Sequence, residues 1–357
     1  MCSYPDDVKE GLDVLGHHYT DFEENIRGAN GYLFFATNKV SYQKVAIKFY
    51  YGQPGERQHD EPRQLAAIIS PNVLQILDAK NINDELSYFV TPFCNEGDID
   101  DLIRSQPSAH RAINVATAIC QGVSAIHAKQ MVHRDLKPGN IVLDNGIPKI
   151  ADFGSVRAIE EGKSTTCASR HSILYRPPES FTENQYGKCG DVYQIGLLTY
   201  QMLGGKLSYD GEDYLTRKDR IKYKALSDLV DRSILLDDAI ESRICDGTLV
   251  NFSSLPPWVS SSTKQCLKSL IALNVGDRIS MVSEAAARLS RVRSTLCDWR
   301  WNDGIASLSQ QIEVRPVGGE QYEAFHLGRT GSVRRMQGVS RGTLQQVVNQ
   351  VSAKQIS

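Results

Sequence analysis

Two short motifs bring groups suited to phosphate and metal chemistry close together in the sequence. Residues 133–140 read His-Arg-Asp-Leu-Lys-Pro-Gly-Asn, and the tripeptide Asp-Phe-Gly follows at 152–154. The first motif contains a carboxylate that could orient a hydroxyl group, a lysine that could hold a phosphate and an asparagine that could bind a metal ion. The second motif adds a further metal-binding carboxylate. Together these groups are suited to phosphate chemistry assisted by a metal ion.

Both motifs resemble the catalytic loop and the magnesium loop of eukaryotic-type (Hanks-type) protein kinases. Phosphoryl transfer in that family depends on in-line positioning and charge neutralisation more than on covalent chemistry by the protein. The resemblance implies that Asp135 orients the substrate hydroxyl, that Lys137 stabilises the γ-phosphate of ATP, and that Asn140 and Asp152 hold Mg²⁺. The motif Asp-Leu-Lys-Pro-x-Asn is similar to the one found in the serine/threonine branch of the family.

The region before these motifs would supply the nucleotide-binding groups. Residues 26–33 align with the family's glycine-rich loop and keep its second and third glycines as Gly28 and Gly31, whereas isoleucine replaces the first. Glycine lets backbone N–H groups approach phosphate oxygens without obstruction by side chains. Taken alone, the segment would also suit a plain hairpin turn. Residues 45–48 match the family's Val-Ala-Ile-Lys, so Lys48 is expected to contact the α- and β-phosphates.

Glu61 is the expected carboxylate partner of Lys48. It stands ten residues before the Pro-Asn-Val sequence at 71–73, which is similar to a turn of the family. Pro62 follows directly, and proline is tolerated in the first turn of a helix but is costly inside one. We therefore expect this helix to begin close to Glu61, and the pair with Lys48 is a candidate on/off element.

The segment 88–94 resembles the passage from a strand into the hinge between the two kinase lobes. This alignment places Thr91 at the gatekeeper position and Phe93 and Cys94 where backbone groups meet adenine. Asp98 follows and is positioned for the ribose hydroxyls of ATP. An aspartate here would equally serve as the N-cap of the next helix, so both roles stay open.

The activation segment is expected between Gly154 and Glu179, with Ser172 at the position that contacts the residue after the phosphoacceptor (P+1). Arg134 precedes the catalytic aspartate, and a guanidinium there can clamp a phosphate in this segment. The candidate autophosphorylation sites are Ser164, Thr165, Thr166 and Ser169. Serine and threonine are also common in any flexible loop.

Two positions further along extend the resemblance to residues 19–290. Asp191 opens a motif similar to Asp-Val-Trp-Ser-Leu-Gly and is expected to brace the catalytic loop. Arg278 fits the late arginine that pairs with Glu179.

The amino-acid composition indicates which kinds of partner and which cellular compartment the protein needs. The chain has 357 residues, 41% of them hydrophobic, and a net charge of -2, which requires neither a nucleic acid nor a membrane as partner. No apolar run approaches the roughly 18–20 residues of a membrane helix, and the N-terminus lacks the features of a signal peptide. The eight cysteines are scattered without a Cys-x-x-Cys spacing, which favours a reducing compartment over disulfides or a zinc site. We expect a soluble, cytoplasmic protein.

We predict an α+β, bilobal protein-kinase fold with a small αβ module at its C-terminal end. The predicted division is an N-terminal leader at 1–18, a β-rich N-lobe at 19–93, a helical C-lobe at 94–293 and a C-terminal module at 297–357. Within the module, alternation and turn residues predict three strands at 311–317, 321–327 and 332–337, followed by an amphipathic helix at 342–354.

Two basic regions lie outside the kinase pattern. Residues 217–224 place five basic side chains on a predicted helix, which is either a solvated face or a docking surface for an acidic partner. Residues 291–357 contain nine Arg and Lys against five Asp and Glu. This surplus would let the module dock on its own kinase domain or bind an acidic partner. Nucleic acid is not favoured, because Arg334 and Arg335 have no interleaved aromatic residues.

These observations predict a serine/threonine protein kinase that uses ATP and Mg²⁺, acts on protein substrates and autophosphorylates in its activation segment. The alternative is a pseudokinase scaffold whose nucleotide state controls a partner through the C-terminal module. Ile26 and Pro62 favour the scaffold, whereas the intact catalytic and metal-binding positions disfavour it. A third hypothesis makes the module a nucleic-acid sensor that gates the kinase.

Overall fold

The computed structural model describes residues 4–25, 32–51, 66–169, 172–309, 311–328 and 331–356. Three principal hydrophobic cores lie within these ranges: one in a β-rich N-lobe, one in a helical C-lobe and one in the C-terminal module. The α+β bilobal architecture expected from the sequence is therefore confirmed.

The N-lobe contains an antiparallel sheet with the strand order β1-β2-β3-β5-β4. Its strands in the described residues are β1 (Tyr19–Glu24), β2 (Tyr32–Asn38), β3 (Lys44–Tyr51), β4 (Asp78–Asn81) and β5 (Leu86–Pro92). Aromatic and β-branched residues dominate β2, β3 and β5, as a half-buried pleated surface favours. The side chain of Asn38 accepts hydrogen bonds from the backbone N–H groups of Val40 and Ser41, both at 2.9 Å, and so forms the turn from β2 to β3.

Helix α1 (Asp6–Leu15) is part of the N-lobe core. Its residues Val8 and Leu15 are 0% and 1% exposed. A Cβ atom at Gly11 would lie 2.5 Å from the ring of Phe49, so only glycine permits this close approach of helix and sheet. The segment predicted as a leader thus packs on one face of the sheet. The opposite face, which carries Lys48, lines a cavity.

The C-lobe is built around the buried helix α5 (Lys188–Met202). The other helices described in this lobe are α2 (Ile99–Arg104), α3 (Ala109–Ala128), α4 (Glu179–Thr182), α6 (Arg217–Ala225), α7 (Leu229–Cys245), α8 (Ser261–Leu270) and α9 (Val282–Thr295). Short strands pair as β6 (Met131–Val132) with β9 (Arg157–Ala158), β7 (Ile141–Asp144) with β8 (Ile147–Ile150), and β10 (Thr165–Cys167) with β11 (Gln185–Gly187). Among the described residues, no helix has both the length and the apolar composition needed to cross a bilayer.

The C-terminal module is an antiparallel meander covered by a helix. Its strands are β12 (Trp299–Asn302), β13 (Ile305–Leu308), β14 (Ile312–Gly318), β15 (Gln321–Leu327) and β16 (Val333–Arg335), and its helix is α10 (Leu344–Ile356). The three strands and the helix expected there are present, and β12 and β13 precede them. Val347, Val348 and Val351 of α10 are each 0% exposed and fill the core of the module.

The module contacts the C-lobe through tryptophan stacking. The ring of Trp258, between α7 and α8, lies 6.1 Å from the ring centroids of both Trp299 and Trp301. The Nε2 group of Gln345 donates to the carbonyl of Pro257 at 3.0 Å. The Arg300 guanidinium also donates to the carbonyls of Gln106 and Ser105, both at 3.3 Å, so aromatic contacts and hydrogen bonds together form this junction.

Candidate active site

A cavity of about 1110 Å³ lies between the N-lobe sheet and the C-lobe. Its N-lobe wall includes Leu33, Phe35, Ala46, Lys48 and Thr91, and its C-lobe wall includes Lys137, Asn140, Val142 and Asp152. Apolar side chains from both lobes thus enclose a space whose inner end is charged. This arrangement suits a ligand with a flat apolar part and an anionic part.

Asp191 of α5 holds the start of the catalytic loop. It accepts hydrogen bonds from the backbone N–H of His133 at 2.9 Å and of Arg134 at 3.0 Å, and Nε2 of His127 lies 2.7 Å from it. Burial alone would raise the pKa of Asp191, but the hydrogen bond and charge of His127 outweigh burial and hold that pKa below its ordinary value. A charged, fully buried carboxylate therefore fixes the loop, as the sequence predicted for this residue.

Gln194, one turn further along α5, is a second brace that the sequence analysis did not identify. Its Oε1 accepts from the backbone N–H of Leu136 at 2.8 Å, and its Nε2 donates to the carbonyls of Arg134 and Tyr175, both at 3.2 Å. The side chain thus ties the catalytic loop to the end of the activation segment. A polar residue within the buried stretch of α5 was the sequence signal that could have revealed it.

The reacting groups expected from the sequence lie together. Nζ of Lys137 donates to Oδ2 of Asp135 at 3.0 Å and to Oγ of Ser172 at 2.7 Å. Nδ2 of Asn140 donates to the same Oδ2 at 2.9 Å and to the backbone carbonyl of Asp135 at 2.8 Å. The other oxygen, Oδ1 of Asp135, is buried and has no hydrogen-bond partner among the described residues. A buried carboxylate oxygen without a donor can accept a hydrogen bond from an entering hydroxyl group.

Strained backbone accompanies this cluster. Arg134, Asp152 and Ser172 have φ values of 68°, 57° and 46°, in the left-handed region that disfavours side chains. Such conformations cost of order 1–3 kcal/mol each and persist at functional sites where the surrounding structure enforces them. Here Ser172 contacts Lys137 of the cluster, Arg134 contacts the activation segment and Asp152 pairs with Lys48.

Asp152 and Lys48 form an ion pair at the inner end of the cavity. Burial alone would raise the pKa of Asp152, but the charge and hydrogen bond of Lys48 outweigh burial and hold that pKa below its ordinary value. The carboxylate is therefore charged at neutral pH, and a metal ion would find an anionic ligand here.

The donor set fits Mg²⁺. Magnesium is usually bound by one or two protein oxygens together with substrate phosphates. The side-chain nitrogen of Asn140 donates to two acceptors on Asp135, so the side-chain oxygen is the atom that could bind a metal ion. Asn140 and Asp152 line the same cavity. Within the described ranges, no group of three or more acidic, His or Cys side chains could hold a metal ion, so phosphates would have to complete the coordination.

The hinge residues border the same cavity. Thr91, Phe93, Cys94 and Asp98 all line it. Burial raises the pKa of Cys94 to about 11, so this thiol is neutral at pH 7. Asp98 caps α2, because its Oδ1 accepts from the backbone N–H of Asp101 at 3.1 Å in a reciprocal capping box. The capping role is thus present, and the ribose role stays a prediction.

Arg134 contacts the activation segment. Its guanidinium donates to the carbonyl of Ser155 at 2.6 Å and to the carbonyl of Cys167 at 2.8 Å. The candidate phosphosites differ in exposure: Ser164 is exposed, Thr165 and Thr166 lie half-buried in β10, and Ser169 is 7% exposed. The guanidinium therefore lies close to β10.

Glu179 and Arg278 form the pair expected at the end of this segment. Two hydrogen bonds join the guanidinium to the carboxylate, at 2.7 and 2.9 Å, in the C-lobe interior. Gly28, Gly31 and Glu61, which were expected to contact the nucleotide and Lys48, lie outside the described residues, as does Pro62.

Comparison with known proteins agrees with this geometry. A family model described as the protein kinase domain matches residues 22–288. The chain is 24% identical over 299 residues to the Probable serine/threonine-protein kinase pknA2 of Bifidobacterium longum, which covers 83% of this chain and 35% of that protein.

Two further curated proteins are similar over the kinase region. Serine/threonine-protein kinase PrkC of Bacillus subtilis is 29% identical over 198 residues, which cover 52% of this chain and 30% of that protein. The interferon-induced, double-stranded RNA-activated protein kinase of Mus musculus is 30% identical over 224 residues, which cover 56% of this chain and 43% of that protein. The matched part amounts to less than half of the length of each of the three relatives.

Proposed function

The chain belongs to the protein kinase family, and we propose that it transfers the γ-phosphoryl group of ATP to serine or threonine hydroxyls of protein substrates. The observation that carries this proposal is the unpartnered Oδ1 atom of Asp135, held beside Lys137, Asn140 and Ser172. A substrate hydroxyl is the donor that this oxygen lacks.

Each side chain of the cluster then has one task. Asn140 holds Asp135 through one hydrogen bond to its Oδ2 and one to its backbone carbonyl, so that Oδ1 faces the entering hydroxyl. Lys137 neutralises negative charge on the phosphoryl group in transit while its bond to Ser172 keeps it at the substrate side. The hydroxyl oxygen forms a bond to the γ-phosphorus as the bond from that phosphorus to the leaving ADP oxygen breaks. The hydroxyl proton passes to Asp135 or to the transferred phosphate.

Nucleotide binding falls to the residues around the cavity. In this proposal Phe93 and Cys94 meet adenine, Lys48 contacts the α- and β-phosphates and Asp98 binds the ribose. All four residues line the cavity, which supports these roles. Gly28, Gly31 and Glu61 belong to this proposal by resemblance alone. Asn140 and Asp152 would hold Mg²⁺, which would supply positive charge to neutralise the phosphates.

We also propose autophosphorylation in the activation segment. The proximity of the Arg134 guanidinium to β10 supports Ser164, Thr165 and Thr166 as acceptors, because a phosphate there would gain a charge-assisted hydrogen bond. Ser169 would have to leave its buried position first. Phosphopeptide mapping of active enzyme tests this; a segment without phosphate in active protein would contradict it.

Two broader assignments complete the proposal. The protein acts in the cytoplasm, where its free thiols at Cys94, Cys120, Cys167, Cys189, Cys245, Cys266 and Cys297 would stay reduced. The surplus of positive charge in the C-terminal module supports an acidic protein partner for this module.

The test of the proposed function is phosphate incorporation from Mg-ATP into a generic basic protein, followed by analysis of the phosphorylated residues. We expect phosphoserine and phosphothreonine, and we expect the Asp152→Asn variant to form neither. ATP binding without any incorporation would contradict the proposal and favour the scaffold alternative.

A further inference from the structure

Residues 296–300 contact the corner between α2 and α3, beside the proposed nucleotide cavity. They follow α9 and run into the first half of β12, and we call them the clamp segment. The segment lies outside the residues that match the protein kinase domain, which end at 288. The proposed catalytic mechanism therefore gives its side chains no role.

The clamp segment closes the start of α3. Oδ1 of Asp298 accepts a hydrogen bond from the backbone N–H of His110, the second residue of α3, at 2.8 Å. N–H groups in the first turn of a helix have no partner within the helix, and a negative charge there is favourable. The histidine ring reaches back to the segment, because its Nε2 lies 2.5 Å from the carbonyl oxygen of Leu296. Asp298 thus caps α3 from 188 residues further along the chain.

The same segment holds the end of α2. The Arg300 guanidinium donates to the carbonyls of Ser105 and Gln106, both at 3.3 Å. Ser105 is the C-cap of α2, and a cation is favourable where the carbonyls of a helix end. Gln106 follows with a φ of 49°, in the left-handed region that disfavours side chains. The corner is therefore a strained turn that Asp298 and Arg300 hold from outside the kinase domain.

Helix α2 forms part of the cavity wall. It has only six residues, and a helix this short is not stable in water by itself. Asp98, Asp100 and Asp101 at its start line the cavity. The helix also packs on the 3₁₀ turn Pro138–Asn140, which contains one of the proposed metal ligands. A shift of α2 would therefore displace a wall of the cavity.

The two ends of α2 have different anchors. Near its start, the Tyr209 hydroxyl donates to Oδ1 of Asp100 at 2.6 Å, and the backbone N–H of Leu143 donates to the carbonyl of Gly97 at 2.9 Å. At its C-terminal end, the guanidinium of Arg300 supplies the contact from the C-terminal module. Without the clamp segment, the helix would stay attached at its start and could swing at its end.

We propose that Asp298 and Arg300 are positioning residues for the nucleotide cavity, so that the C-terminal module completes the kinase domain. This inference rests on the proposed function, because it takes the cavity as the ATP site. The clamp segment fixes α2 against α3 and thereby keeps the wall of the cavity in place. Without it, a smaller fraction of the molecules has α2 in place, and the apparent dissociation constant for ATP rises in inverse proportion to that fraction.

The test compares variants of the full chain. Arg300→Ala and Asp298→Ala each remove one contact of the clamp segment, whereas Asp298→Asn keeps a side-chain carbonyl that can accept from His110. The matched control is Gln345→Ala, which removes the hydrogen bond to the carbonyl of Pro257 at the other contact between module and C-lobe. Calorimetry gives the Kd for ATP, and steady-state kinetics give kcat and the KM for ATP. Hydrogen exchange of the backbone amides of residues 99–105 reports on α2 directly.

We expect Arg300→Ala and Asp298→Ala each to raise the Kd and the KM for ATP at least about threefold. Because bound ATP selects the molecules in which α2 is in place, kcat at saturating ATP should stay within about twofold of that of the unaltered protein. Exchange at residues 99–105 should become faster in both variants. Asp298→Asn and Gln345→Ala should change neither the ATP affinity nor this exchange. The Arg300 side chain is exposed, so its removal leaves the core of the module intact.

Any of several results would overturn the inference. These are unchanged ATP affinity and exchange in Arg300→Ala and Asp298→Ala, an equal change in Gln345→Ala, or a loss in kcat with no change in KM. If the unaltered protein binds ATP but never transfers phosphate, the proposed function fails, whereas the Kd for ATP and the exchange rates still decide the role of the clamp segment. An unaltered protein that does not bind ATP would overturn both.

Discussion

The buried ion pair between Glu179 and Arg278 allows a quantitative prediction about stability. The Arg278 side chain is 0% exposed and that of Glu179 is 8% exposed. Glu179→Gln keeps the shape of the side chain but removes the charge that compensates the guanidinium. Breaking one partner of a buried pair typically costs about 3–5 kcal/mol.

The surroundings of the pair place the expected cost near the lower end of that range. In the variant, the guanidinium would keep hydrogen bonds to the carbonyls of Ala272 at 2.8 Å, Leu273 at 3.1 Å and Cys189 at 3.3 Å. These carbonyl groups take the place of part of the water that would otherwise solvate the Arg278 guanidinium. We therefore expect Glu179→Gln to lower the free energy of unfolding by about 3 kcal/mol.

The assay is urea unfolding followed by circular dichroism. The matched control is Glu284→Gln, which removes an exposed carboxylate from its pair with Arg288 and should cost about 0–1 kcal/mol. The double variant Glu179→Leu/Arg278→Met should be more stable than Glu179→Gln, because it leaves no charge buried. A loss below 1 kcal/mol for Glu179→Gln, or a loss equal to that of the control, would show that the Glu179 charge is not needed to stabilise the buried guanidinium.

Two further predictions concern the cavity and the module junction. Burial raises the pKa of Cys94 to about 11, so only about one in 10³ of the Cys94 side chains is a thiolate at pH 8. Iodoacetamide reacts with the thiolate and should therefore modify Cys94 roughly 100-fold more slowly than a thiol of pKa 9.0. Because deprotonation limits the reaction, the rate should rise about tenfold per pH unit below pH 11; mass spectrometry that shows fast modification at pH 8 would contradict this. Trp258→Ala removes the aromatic contact with Trp299 and Trp301 and should cost about 2–4 kcal/mol, with faster proteolysis near residue 296. An unchanged unfolding curve and cleavage pattern would show that the stacking does not hold the module in place.

The reacting groups could be predicted from the sequence because they are close along the chain. Asp135, Lys137 and Asn140 lie within six residues, and one local conformation brings them together. Asp191 and Ser172 are distant in sequence, and only the resemblance to a known family connected them to this loop. Their hydrogen bonds to the loop agree with that expectation.

Contacts across the fold were harder to anticipate. The amphipathic pattern of α1 does not indicate which sheet it covers, so the burial of Val8 and Leu15 could not be assigned in advance. Strands β12 and β13 are only four residues long, and the first alternates tryptophan with polar residues. Trp258 meets β12 across about forty residues of sequence. Pairing at such a distance depends on the assembled fold and leaves no local pattern.

Asp135 is the group that orients the substrate hydroxyl in the proposed reaction. The most direct measurement compares Asp135→Asn with the unaltered protein in nucleotide binding and in phosphate transfer to a generic basic protein. We expect unchanged ATP affinity and a kcat reduced by about 10²–10⁴, because the amide cannot accept the proton. A variant that transfers phosphate at more than a tenth of the original rate would contradict the role of Asp135 in orienting the substrate hydroxyl.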